Sequence, residues 1–184
     1  MDKNAFRQML KSAPVSKTEW EKDGEAAFKA FETFEPFLKA ETVAAYMPMQ
    51  GEAQIQPVLR LILDRGKRLL LPRVISKTDM AFFQVADFNH LAEGSYGILE
   101  PKAELSAYTG KVDLMVIPLL ALALDGTRLG RGGGYYDRYL AKNPATTVVI
   151  VNKNRLFSRL PEEKHDVKVN YYILEGKWVS CGGK

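Results

Sequence analysis

Residues 42–71 read TVAAYMPMQGEAQIQPVLRLILDRGKRLLL, and the fold class follows from them. Thr42 to Met47 is a short run of β-type residues, and Gln54 to Arg65 carries Val58, Leu61 and Ile62 on one helical face. Lys67 to Leu71 is apolar and extended again. Strand, helix and strand in this order make a β-α-β unit. Parallel strands cannot be joined by a tight turn, so the helix is a right-handed crossover covering the sheet. Ligands are then expected beyond the carboxyl ends of the strands.

On the N-terminal side, the charges between Asp2 and Lys11 and the apolar Phe6, Met9 and Leu10 predict a short amphipathic helix. Ser16 opens a second helix, spaced from Glu19 as in a capping box, and Trp20, Ala27, Phe28, Phe31, Phe34 and Phe37 return at near-helical intervals until Pro36 disturbs them. Phenylalanines at i, i+3 and i+6 are what a helix packed on a sheet needs, rather than a cofactor box. On the C-terminal side, Met80 to Val85 reads as a strand and the Gly94, Gly97, Pro101 stretch as a loop, as does the surrounding of His90. Asp113 to Pro118 is a buried strand, Tyr135 to Lys142 a helix, Thr146 to Val151 a buried strand and Tyr171 to Leu174 a last strand. No repeat, low-complexity tract or long linker divides the chain. A single α/β domain over residues 1–184, with a mostly parallel sheet flanked by helices, is the expectation.

Composition narrows the class further. With 184 residues, 46% apolar and 26% charged, the chain has material for an ample core without staples. Cys181 is the only cysteine, which excludes an internal disulfide and a cysteine-rich zinc cluster and fits a reducing compartment. The longest charge-free apolar run, Leu114 to Leu124, is too short to span a bilayer, and the N-terminus lacks the apolar stretch of a secretory signal. A cytoplasmic location follows as the expectation, with no membrane partner. The net charge of +4 is compatible with an anionic ligand without identifying one.

The segment richest in chemistry is Gly126-Thr-Arg-Leu-Gly-Arg-Gly-Gly-Gly-Tyr-Tyr-Asp137, between a buried strand and a helix. Glycines there let backbone N–H groups approach an anion, and the helix turns its positive end to the same charge. Arg128 and Arg131 add guanidinium forks that match phosphate oxygens. The segment satisfies neither Gly-x-x-x-x-Gly-Lys-Ser/Thr nor Gly-x-Gly-x-x-Gly. A nucleic-acid module could use Arg128, Arg131 and the pair Tyr135-Tyr136 against phosphate and base, but the other basic residues are scattered, and no nucleic-acid partner is expected.

Arg128-Leu-Gly-Arg-Gly-Gly-Gly-Tyr-Tyr-Asp137, preceded by Pro118 and Gly126, resembles the signature of the 5-formyltetrahydrofolate cyclo-ligases, also called 5,10-methenyltetrahydrofolate synthetases. Lys3-x-x-x-Arg7, Tyr46 to Glu52, Leu71-Pro-Arg-Val74, Gly94-x-x-Gly-x-x-Glu-Pro101 and His165-Asp166-Val167 are similar to the family's other segments, in the same order. The resemblance implies an open Rossmann-like sheet. It also implies ATP-dependent ring closure of 5-formyltetrahydrofolate to 5,10-methenyltetrahydrofolate with release of ADP and phosphate. The formyl oxygen would take the γ-phosphoryl group, and N10 would displace phosphate. Such chemistry asks mainly for positioning and for charge to offset developing negative oxygens.

By the same resemblance, Lys3, Asn4, Ala5, Phe6 and Arg7, with Arg128, Leu129, Gly130, Arg131, Gly132, Gly133, Gly134, Tyr135 and Tyr136, would bind ATP. Met47, Glu52 and the portion Arg131 to Tyr135 would bind the folate, and Arg131 and Lys3 would be catalytic. Asp137 and Asp166 would hold Mg²⁺, which prefers carboxylate, phosphate and water oxygens. Read without the family, Lys3 and Arg7 are a solvated helix face, and Asp137 is a first-turn acid favouring the helix dipole. Tyr135 and Tyr136 offer rings for stacking on pterin or adenine, with one of the two in the core. His165 either tunes the metal site or lies free at the surface. A monomer acting on small molecules is expected.

The chain departs from the family pattern at Leu119, Leu122 and Ala123, where glycine, phenylalanine and aspartate are usual. Further departures are Gln54, Asn170 and Tyr172. Asp125 is the candidate to replace the carboxylate lost at Ala123.

Overall fold

A computed structural model describes residues 1–94 and 97–182. The chain begins with α1 (Lys3–Ser12), α2 (Lys17–Phe31) and α3 (Glu35–Lys39), followed by β1 (Thr42–Ala44), α4 (Gln56–Asp64), β2 (Arg68–Val74) and β3 (Met80–Val85). Then come β4 (Leu91–Glu93), β5 (Leu99–Pro101), β6 (Leu114–Val116), β7 (Ala121–Ala123), β8 (Arg128–Leu129), α5 (Tyr135–Lys142), β9 (Thr146–Ile150), β10 (Leu156–Phe157), β11 (Tyr171–Leu174) and β12 (Lys177–Ser180).

The main sheet has seven strands in the order β12-β11-β9-β6-β1-β2-β3. Its five inner strands are parallel, and β3 and β12 close the edges antiparallel. Successive residues alternate between two cores, as the pleat requires. Val43, Leu69, Leu71, Leu114, Val116 and Val148 face α2 and α4. Ala44, Leu70, Met115 and Val149 face α5. The phenylalanine stripe is core, as expected: Phe31, Phe34 and Phe37 have no exposure, and Phe31 meets Phe37 edge to face at 5.1 Å.

The strands expected in the sheet interior form, with shifted ends: β2 runs on to Val74, and β1 stops at Ala44, although the Ala45 N–H still donates to the Leu70 carbonyl. Four expectations need correction. The second helix does not run on to Pro36. It ends at Phe31, and Pro36 sits in the first turn of α3, where its missing N–H costs nothing. The Gly94 to Pro101 stretch is not all loop. Its flanks pair as the hairpin β4-β5, and the two residues between Gly94 and Gly97 lie outside the described residues. His90 sits in a short 3₁₀ turn, its Nδ1 3.0 Å from Asp87 Oδ1.

The fourth correction is that Tyr171 to Leu174 is not the last strand. A two-residue turn at Glu175 and Gly176, both with positive φ, returns the chain as β12. The apolar run Leu114 to Leu124 is also split near Pro118. Its second half forms β7 in a separate small sheet, β10-β7-β8. Strands of two and three residues are too short to leave a periodic trace.

Candidate active site

A cavity of about 280 Å³ opens at the carboxyl ends of β1, β2 and β6. The chain leaves β1 for β2 on one side, while β6 lies on the other, so the cavity sits at the topological switch point of the sheet. Tyr46 and Met47 enter it from the end of β1, Val74 from β2, and Pro118 and Leu119 from the end of β6.

The glycine loop enters from the hairpin β7-β8. Asp125 Oδ1 accepts from the Thr127 N–H at 3.0 Å and fixes the turn, a loop-fixing hydrogen bond of the kind sought from it. A lysine completes it. Hydrogen bonding to Lys168, then to Thr127, holds the Asp125 carboxyl down at about 2. On β8 itself, Arg128 is buried. It donates from Nη1 to the Pro118 carbonyl and from Nη2 to Asp137 Oδ2, both at 3.1 Å. Asp137 Oδ1 accepts from the Val167 N–H at 3.1 Å. Arg128 and Asp137 thus brace the loop from beneath. A Cβ at 130 would lie 2.9 Å from Arg128 Nη1, so glycine there leaves room for the buried guanidinium.

From Arg131 through Asp137 the backbone N–H groups have no acceptor among the described residues, and Gly134 leads into α5 with φ of 66°. A row of unpaired N–H groups at a helix start is an anion site. Arg131 lies across it toward the other side of the cavity. Its Nε donates to Glu52 Oε1 at 2.9 Å and its Nη2 to the Gln50 carbonyl at 3.0 Å. Glu52 is buried, and its Oε2 accepts from the Met49 N–H at 3.0 Å. Gln54 ties the same loop by donating to the Met49 and Glu52 carbonyls, so this departure from the family pattern is a staple of the loop that carries Glu52. Asn170 likewise accepts from Thr147, securing β9 against the approach to β11.

α1 closes a third side. Lys3 Nζ lies 2.6 Å from both Asp166 oxygens and 2.8 Å from Glu163 Oε2. Burial opposes both charges of the Lys3-Asp166 pair, but their hydrogen bonds prevail, holding Lys3 above and Asp166 below their ordinary values. Arg7 Nε donates to the Gly130 carbonyl at 2.9 Å. The helix is docked by Phe6, edge to face with Phe157 at 5.0 Å, and by Leu10 against Ala121 and Leu129.

Of the five N-terminal residues expected to meet ATP, the structure brings Lys3 and Arg7 to the cavity. Phe6 is spent on docking, Ala5 donates its N–H to the Asp2 cap, and Asn4 accepts from Arg7. All the other expected site residues line the cavity: Met47, Glu52 and the run from Arg128 through Asp137, with Asp166. Tyr135 and Tyr136 both line it and both pack partly on the second core. Burial pushes the Tyr136 hydroxyl well up. His165 is exposed, 3.4 Å from Glu163. Sequence reading takes in Tyr46, Met49 and Val74 only as parts of family-like segments, without a role in the site, and does not single out Met80 or Glu163 for it. Only their places at strand ends or beside expected ligands marked them.

A parallel α/β sheet with unpaired loop amides, two arginines and a lysine at its switch point is the class of arrangement that suits an anionic ligand there. The family model described as the 5-formyltetrahydrofolate cyclo-ligase family matches residues 1–175. A 5-formyltetrahydrofolate cyclo-ligase of Mycolicibacterium smegmatis is 33% identical over 152 residues, covering 77% of each chain. A probable one of Caenorhabditis elegans is 27% identical, over 96% of this chain and 94% of its own length. The NMR structure of Aquifex aeolicus 5,10-methenyltetrahydrofolate synthetase superposes with a TM-score of 0.86 at 29% identity, over 100% of this chain and 95% of that one. The chain belongs to the 5-formyltetrahydrofolate cyclo-ligase family.

Proposed function

We propose that this protein, acting as one domain and as a monomer in the cytoplasm, uses ATP to cyclise 5-formyltetrahydrofolate to 5,10-methenyltetrahydrofolate, releasing ADP and phosphate. The observation that carries the reading is that one cavity joins the unpaired amides of residues 131–137 and the cations Lys3, Arg7 and Arg131 to the buried Glu52 carboxylate. The first set suits a polyphosphate, and the second suits the amino and ring N–H edge of a pterin.

The formyl oxygen attacks the γ-phosphorus as the bond to ADP breaks. N10 then attacks the formyl carbon, loses its proton, and phosphate leaves with the former formyl oxygen. Arg131 and Lys3 neutralise the phosphoryl oxygens as charge develops. Met47 and Glu52 orient the folate. Arg128 and Leu129 hold the loop, and its glycines admit the phosphates closely. Tyr135 and Tyr136 supply ring faces for pterin or adenine.

Oxygen donors from Asp166 and Glu163, with His165, come within 4.8 Å of one another, and two carboxylates suit magnesium. Asp166 would hold the ion on giving up Lys3, and Asp137 on giving up Arg128 or the Val167 N–H. Bound magnesium would add positive charge at the phosphates. Lys3, once released from Asp166, is free to turn to the same oxygens.

The test follows absorbance at the methenyl-folate band with 5-formyltetrahydrofolate and Mg²⁺, with and without ATP. An ATP-dependent rise is expected. A flat trace with both substrates present overturns the proposal.

A further inference from the structure

Arg138, one turn into α5, touches neither end of the expected chemistry, yet it holds two separate walls of the cavity. Its Nη2 donates to the Gly133 carbonyl at 2.7 Å and its Nε to the Thr78 carbonyl at 2.6 Å. Thr78 belongs to the turn between β2 and β3, whose flanking Val74 and Met80 line the cavity, and the Tyr135 hydroxyl donates to Lys77 of the same turn at 3.1 Å. A planar trans peptide points its C=O and N–H in opposite directions. Holding the Gly133 carbonyl toward Arg138 therefore turns the Gly134 N–H away from it. Arg7 does the same at the other end of the loop, where its hold on the Gly130 carbonyl sets the Arg131 N–H.

Glycine at 134 serves this grip twice. Its φ of 66° is costly for other residues, and a Cβ there would lie 2.6 Å from Arg138 Nη1.

We propose that Arg138 is a positioning residue for nucleotide binding, stapling the glycine loop to the β2-β3 turn so that the loop amides are preset for phosphate. The inference rests on the nucleotide reading of the loop given above. The fork is essential to it: two donors in one plane span two carbonyls, which a lysine ammonium on a flexible stem does not reproduce.

The experiment uses the full chain as wild type, Arg138→Met and Arg138→Lys. ATP and 5-formyltetrahydrofolate affinities are measured separately by calorimetry, and tryptic cleavage after the exposed Lys77 is timed without ligand. Both variants are expected to weaken ATP by about tenfold, to keep folate affinity within about twofold, and to be cut several-fold faster at Lys77. Wild-type ATP affinity in Arg138→Lys overturns the staple, because charge alone would then suffice. Equal losses for both ligands overturn it in favour of general loosening, and an unchanged cleavage rate overturns it because the turn is then not held by Arg138. If wild type binds ATP without forming methenyl-folate, the proposed reaction fails, while the ATP and cleavage arms still decide the role of Arg138.

Discussion

Arg131 is expected to meet both ATP and the folate and Glu52 the folate, and the two pair with one another at 2.9 Å across the cavity. Lys3 and Asp166 do the same on the other side. Each cation is therefore oriented by a carboxylate, which on the proposed reading it would exchange for phosphate. Arg131→Ala removes a donor aimed at developing charge and leaves Glu52 short of a partner. Turnover is expected to fall by about 10²–10³-fold, checked by steady-state rates on protein with unchanged circular dichroism. Asp125 gives a pH test. Its carboxyl, held at about 2 against an ordinary 3.8, contributes stability that is present above about pH 4 and lost as pH falls toward 2. Urea midpoints of wild type should exceed those of Asp125→Asn at pH 6, and the gap should close between pH 4 and pH 2. A gap that persists at pH 2 contradicts the assignment.

Among the elements, α2 shows how a helix placed by its own sequence also sets a site loop. Its capping box forms as spaced, with Ser16 and Glu19 bonded reciprocally, and its apolar face covers the sheet. Gly24 in its middle allows the chain after Glu52 to lie directly on the helix, where the Gln54 N–H donates to the Trp20 carbonyl at 3.1 Å. A Cβ at 24 would fall 1.9 Å from the Gln54 carbonyl oxygen. Helix propensity favours alanine over glycine by about 1 kcal/mol, but backbone cannot yield as a side chain does. Gly24→Ala is expected to destabilise by about 1–3 kcal/mol in chemical denaturation and to raise the KM for folate, since the Glu52 loop must shift. Increased stability would show that this close approach does not constrain the fold.

In the molecule as a whole, residues from Lys3 to Asp166 meet in one cavity, and the N-terminal helix must be carried to it across the small sheet. Arg155 is buried where it donates to the Leu10 and Ala13 carbonyls, at 3.2 and 2.7 Å, and so fastens the far end of α1. Arg155→Met is expected to raise the KM for ATP by about tenfold with the folate KM unchanged. Parallel changes in both would mean that α1 is not specifically addressed. The β-α-β unit, the phenylalanine stripe, the capping box and the glycine segment were legible because each is local: apolar period, cap spacing and loop composition act within a few turns of chain. On those terms the sequence by itself determined a parallel α/β fold, its family and the segments that line the cavity. Tertiary structure decided what lies in no local pattern. It set the separate β10-β7-β8 sheet, the use of Phe6 for docking, the pairing of Arg131 with Glu52 and the grip of Arg138 on Gly133 and Thr78. Such contacts join residues that chain distance keeps apart, and only burial and backbone geometry in the folded molecule select them.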